Sequence, residues 1–249
     1  MHADPPRSAG TPADGVSAGL RVAILQSNYI PWKGYFDLIG AVDTFVLYDD
    51  VQYTKNDWRN RNRIKTPQGP AWLTVPVGQD INRRIRDVVL PDPRWQARHW
   101  KTLAANYRRA PFFDEVAETF APHWLASRQT SLSELNRTLI SAVARYLDIP
   151  TRIEDCSNHP VDAPAGPSAR LVSMCREMGA ATYVSGPAAR SYLDVDAFAA
   201  AGVAVEWFAY PPYPAYPQLW GAFEHHVTIL DLLFNCGSRA PRYMKASWT

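Results

Sequence analysis

Residues 20–50 read LRVAILQSNYIPWKGYFDLIGAVDTFVLYDD, and they decide the fold. Residues 20–25 form an apolar run of strand length, and 44–48 form a second one, rich in β-branched and aromatic side chains. Between them, 36–42 reads as a short helix behind a loop marked by Pro31 and Gly34. Strand, loop, helix and strand make a β-loop-α-β unit of the usual right-handed kind. Ligands of such folds bind at the carboxyl edge of the sheet. The first strand ends in Gln26, Ser27, Asn28 and Tyr29, whose polar groups a buried position does not tolerate unpaired. The following helix turns its amino end to this loop, which favours an anion there. Loop 26–35 is therefore expected to be the centre of a site, with Trp32 and Tyr35 as ring-stacking residues.

The second strand ends in Asp49-Asp50. Alternation sends the two carboxylates to opposite faces. At least one is expected in the crevice as a catalytic base, a hydrogen-bond acceptor or a metal ligand. Residues 55–65 follow, with five basic groups against one acidic. If extended, Arg59, Arg61, Arg63 and Lys65 share one face, and Trp58, Asn60, Asn62 and Ile64 the other. The first face suits a phosphate or carboxylate held by bidentate arginines. The alternative is a charged edge strand that resists aggregation.

Further along, 59–66 and 71–77 flank the turn Pro67-Gln68-Gly69-Pro70 and predict a β-hairpin. Residues 85–90 read as a short strand, and 95–109 as a helix entered behind Pro93. Residues 131–147 carry a continuous apolar stripe, with Ser131 and Glu134 at capping-box spacing. Strands are expected at 151–155, 181–184 and 203–208, and helices at 168–178, 195–201 and 223–234. Ser185 and Gly186 end one of these strands and form a second candidate substrate-facing turn. The pattern predicts a mainly parallel, Rossmann-like α/β sheet with helices on both faces. Residues 51–148 read as an inserted hairpin plus helical cap. The expected organisation is a disordered tail at 1–19, one domain at 20–243 and a short tail at 244–249.

The charge of +2 gives no field for nucleic acid or an anionic membrane surface. The longest apolar runs fall short of a membrane span. The three cysteines lie far apart, without a Cys-x-x-Cys pair, which argues against structural zinc and for free thiols in a reducing cytoplasm. Cys236 reads as a small buried hydrophobe, with pairing to His99, His123 or His159 left open. His225-His226 is expected on the last helix, where adjacent positions point ~100° apart and cannot chelate. No cofactor is identifiable.

Two resemblances follow from these motifs. Pro31-Trp32-Lys33-Gly34-Tyr35 resembles the HxGH region of nucleotidylyltransferases, but Trp32 and Tyr35 stand where that family has histidines. Neutral rings cannot stabilise charge on a transferred phosphoryl group as those histidines do. The longer segments QSNYIPWKGYFDLI (26–39), DDVQYTKNDWRNRN (49–62), VSGPAA (184–189) and LDLLFNCG (230–237) resemble the WbqC-like family across about residues 20–243. That resemblance implies a bacterial protein of surface-polysaccharide, modified-sugar or natural-product biosynthesis. The matching positions include Gln26, Asn28, Tyr29, Trp32, Tyr35, Asp49, Asp50, Gln52, Tyr53, Trp58, Arg59, Asn60 and Arg61. The expected activity is a transferase, with acyl or aminoacyl transfer to an amine of a sugar-like or small-molecule acceptor. A carrier-protein-bound or nucleotide-linked donor is the expected partner. A nucleotidyl transferase and a non-catalytic binding protein of a biosynthetic complex are the alternatives.

Overall fold

The computed structural model describes residues 19–91, 94–161 and 166–245. The expected tail through residue 18, Pro93, and residues 246–249 lie outside them. Among the described residues the strands are β1 (Arg21–Leu25), β2 (Thr44–Leu47), β3 (Arg61–Thr66), β4 (Gly69–Thr74), β5 (Arg152–Asp155), β6 (Thr182–Ser185) and β7 (Ala204–Trp207). Five of them form a parallel sheet in the order β5-β2-β1-β6-β7, and β3 pairs with β4 as a separate antiparallel hairpin. The direction of winding reverses between β1 and β6, so their carboxyl ends open a switch-point crevice.

The helices are α1 (Lys33–Gly40), α2 (Arg94–Tyr107), α3 (Phe113–Phe120), α4 (Pro122–Leu125), α5 (Leu132–Tyr146), α6 (Pro167–Glu177), α7 (Val195–Ala200) and α8 (Ile229–Cys236). Beyond their first residues, Arg21 and Thr44, central strands β1 and β2 are apolar because both their faces are covered. Ala23, Phe45 and Leu47 pack with Phe36 and Ile39 of α1, Leu139 and Val143 of α5, and Leu233 of α8. Val22, Ile24 and Val46 face Leu171 and Met174 of α6 and Phe198 of α7. Burying a side chain such as Phe36 or Phe45, each fully enclosed, stabilises the fold by roughly 1.5–3 kcal/mol. The hairpin joins the first of these cores through Ile64 and Leu73.

Local signals set several boundaries. Ser131 caps α5, its Oγ accepting from the Glu134 amide at 3.4 Å. Gly179 ends the α6 turn at φ 67°. Helix α1 begins at Lys33, three residues before the expected start, because Trp32 supplies an extended N-cap. Gly34 is required there, since a Cβ on it would lie 2.4 Å from the Trp32 ring.

Three expectations change. Residues 85–90 do not form a strand: Ile85–Asp87 is a 3-10 turn, because the Ile85 and Arg86 amides donate to the Val51 and Asp49 carbonyls beyond β2. The last helix starts at Ile229, not near 223. Thr228 caps it, and the Thr228 and Ile229 amides donate to the carbonyls of Arg63 and Pro31, both at 2.9 Å. His225 and His226 therefore lie on an irregular strap rather than on a helix. The short helices α3 and α4 carry too few residues for a periodic signal.

Candidate functional site

Leaving β1, the chain turns at Ile30, whose φ of 37° is unusual for a β-branched residue. Asn62 of β3 holds the turn, its Nδ2 donating to the carbonyls of Tyr29 (3.2 Å) and Ile30 (2.8 Å). The Tyr29 amide donates to the Trp58 carbonyl at 2.9 Å. The loop after β1 and the entry to the hairpin thus fix each other. Between them lies a cavity of about 160 Å³ lined by Asn28, Pro31, Trp32, Trp58, Asn62 and His226.

Its walls are aromatic. Trp32 is set by Tyr210 and Tyr213, with ring centroids at 5.4 and 5.7 Å. Trp58 is 42% exposed and touches Trp72, itself 48% exposed, at 5.4 Å. The Arg61 guanidinium lies 4.1 Å over the Trp72 ring. Arg59 is committed to its neighbours: it donates to Gln26 Oε1 at 2.7 Å and to Asn28 Oδ1. That contact orients Asn28, whose amide nitrogen has no hydrogen-bond partner among the described residues.

The strap at 224–228 adds an imidazole to the rim. Arg63 Nε donates to the His226 carbonyl at 3.0 Å and anchors the strap to β3. His226 Nδ1 lies 3.3 Å from Glu224 Oε1, and the imidazole is 6.3 Å from the Trp32 ring. The His226 amide also donates to Glu224 at 2.8 Å; this bond, aided by Arg63, holds the carboxyl below its ordinary range. Nε2 is the imidazole nitrogen not placed against that carboxylate.

The two strand-end carboxylates point apart. Asp49 is buried, accepting from the Ser27 amide (2.8 Å) and the Ser133 hydroxyl (2.5 Å). Burial raises its pKa, against the opposing hydrogen bonds. Asn136 completes this network, donating to Ser27 Oγ (3.0 Å) and the Arg59 carbonyl (2.9 Å). Asp50 emerges on the other side among Arg170, Arg84 and Arg86. Partial burial pushes its pKa up, but the arginine hydrogen bonds prevail and hold it low.

The remaining candidates are placed around the cavity rather than in it. Tyr29 is fully buried, its hydroxyl 2.9 Å from His99 Nδ1 and receiving the Trp124 indole N–H at 2.9 Å. Burial lowers the His99 pKa to about 4, so its imidazole is neutral. Tyr35 is buried and donates to the Gln26 carbonyl at 3.0 Å. Tyr53 donates to Asn60 Oδ1 (3.0 Å), and Asn60 donates to the Val75 carbonyl (2.8 Å), which ties the hairpin to its approach. Gln52 is exposed and donates to the Ile81 carbonyl. Ser185 ends β6 and Gly186 follows it, facing the Tyr210 hydroxyl behind Trp32.

Two buried charges lie beneath the cavity wall. Asp231 accepts from the Tyr107 and Tyr216 hydroxyls and from Gln218 Nε2, at 2.7–2.8 Å. Lys33 is 3% exposed and its Nζ has no hydrogen-bond partner among the described residues. That ammonium sits 4.7 and 5.1 Å from the ring centres of Tyr213 and Tyr216, and burial lowers its pKa to about 8. Cys236 is buried and its thiol is pushed up to about 11 by burial, which removes thiolate character at neutral pH. Among the described residues no cluster of three His, Cys, Asp or Glu side chains is placed to hold a metal ion. None of the described helices is long and apolar enough to cross a membrane.

Trp72, Glu224 and His226 were not singled out as site residues by the sequence reading. For His226 the usable signal was the Pro- and Tyr-rich composition before it, which argues against a helix running through residue 223.

A five-stranded parallel sheet flanked by helices, with a separate antiparallel hairpin, defines the class: a Rossmann-like α/β protein. More narrowly, the chain belongs to the WbqC-like protein family, whose sequence profile matches residues 26–243. It is 49% identical over 227 residues to "Uncharacterized protein Rv1507c" of Mycobacterium tuberculosis (strain ATCC 25618 / H37Rv), covering 90% of this chain and 97% of that protein. No solved structure matches the chain.

Proposed function

We propose that this protein is a transferase of bacterial surface-glycan or natural-product biosynthesis that passes an acyl or aminoacyl group to an amine on a ring-shaped acceptor. The observation that carries this reading is the cavity between Trp32 and Trp58 with the Glu224–His226 pair at its rim. An acceptor ring stacks on the indoles, and the free amide of Asn28 orients it. His226 Nε2 takes the amine proton as the new C–N bond forms. The acyl–donor bond breaks, and the proton passes to the leaving group. Direct attack by a positioned amine needs no protein nucleophile. Arg61, half-buried with its guanidinium over the Trp72 ring, supplies the cation for an anionic donor group. Asp49 acts as a positioning residue, holding loop 26–32 through the Ser27 amide.

The nucleotidyl transfer reading has less support, because Trp32 is an apolar wall and the Tyr35 hydroxyl is spent on the Gln26 carbonyl. The test is metabolite comparison of a deletion strain complemented with wild type or with His226→Gln. Accumulation of an amine lacking one acyl group, in the deletion and in the His226→Gln strain alike, is the expected result. Full product recovery with folded His226→Gln would overturn the reading.

A further inference from the structure

The helical cap has an opening of its own, away from the Trp32–Trp58 cleft. A cavity of about 570 Å³ lies between the start of α2 and the segment after α4. Leu90, Trp124 and Leu125 supply an apolar lining, and Leu125 stays 59% exposed beside the buried Trp124. Arg94 and Arg128 are its charged residues, and none of the described lining residues is acidic. Gln96 lines the same cavity. It is 2% exposed, yet its Nε2 has no hydrogen-bond partner among the described residues. A buried amide donor without an acceptor is costly, and native structures rarely keep one without a purpose.

We propose that this cavity binds a carboxylate carried on a short aliphatic chain. The carboxylate accepts from Gln96 Nε2, and the exposed Arg128 neutralises its charge. The chain lies along this lining and covers the Leu125 side chain, which is otherwise wet. A neutral alcohol would leave Arg128 without a counter-charge, and a bare inorganic anion would leave Leu125 exposed. The site does not depend on the transfer reading. Its one link to the other cleft is Trp124, whose indole N–H donates to the Tyr29 hydroxyl under loop 26–32.

Calorimetric titration of the full chain with octanoate, acetate and octanol tests the assignment. Octanoate is expected to bind saturably at one site, with acetate and octanol each weaker by about ten-fold or more. Gln96→Leu and Arg128→Ala should each weaken octanoate by about ten-fold. Gln96→Leu should also keep or raise the Tm of the free protein, because it deletes the orphan donor; weaker binding is then not a folding defect. No saturable octanoate binding to wild type, octanol binding as tightly as octanoate, or unchanged affinity in Gln96→Leu would each refute the site.

Discussion

The carboxyl end of β2 and the strap at 224–228 both offer a carboxylate beside the same sheet edge, and they use it in opposite ways. At β2, Asp49 has the Ser27 amide and the Ser133 hydroxyl on its two oxygens, and Asp50 is held by arginines. Each carboxylate is thereby tied to neighbouring protein groups at the edge. On the strap, Glu224 lies beside one nitrogen of His226, and the imidazole stands at the cavity. A strand-end aspartate is a chemical group only if something remains for it to accept.

Exchanging roles should break this contrast. The largest effect is expected at the strap: His226→Gln should lower the transfer rate by about 10²–10⁴-fold with little change in Tm, measured on the product that the strain comparison identifies. A loss confined to KM would mean that His226 only binds. Next comes Asp49→Ala, which strands the Ser27 amide and the Ser133 hydroxyl and should cost about 2–5 kcal/mol in urea unfolding. A fully stable but inactive Asp49→Ala protein would restore this carboxylate to a chemical role.

Lys33→Met should act in the other direction. Burial holds the folded amine at about 8, below its ordinary 10.5, so the unfolded chain keeps this proton to higher pH. Wild-type stability should therefore rise from pH 8 towards 10.5, while the variant lacks that rise and is more stable at pH 7 by up to about 2 kcal/mol. Parallel pH profiles of Tm for the two proteins would show that the ammonium has a partner.

The smallest effect is expected at Asp50→Asn, about 1 kcal/mol near pH 7. The arginines depress the folded pKa of Asp50, so its contribution is present above the unfolded pKa near 3.9 and is lost as pH falls through the folded value. The variant should flatten that acid limb of the stability curve, and an unchanged limb would show that the cluster contributes nothing to folding.

How much was legible follows from the range of each interaction. Residues 20–50 announced β1, α1 and β2 because apolar runs and turn residues act within a few positions. Ser131 announced its cap for the same reason. The opposite facing of Asp49 and Asp50 also followed, since strand alternation is local. The partners that decide what those carboxylates do were not legible: Ser133 lies 84 residues from Asp49, and Arg170 lies 120 from Asp50. Tyr29 read as a substrate contact because nothing near it in sequence shows that His99 and Trp124 enclose its hydroxyl.

The sequence by itself determined the sheet class and the family, because period, capping and motif are carried by neighbouring residues. Only the tertiary structure decided which polar groups are free. That depends on contacts such as Arg63 with the His226 carbonyl, 163 residues apart, where packing brings the strap across the hairpin and leaves an imidazole at the rim.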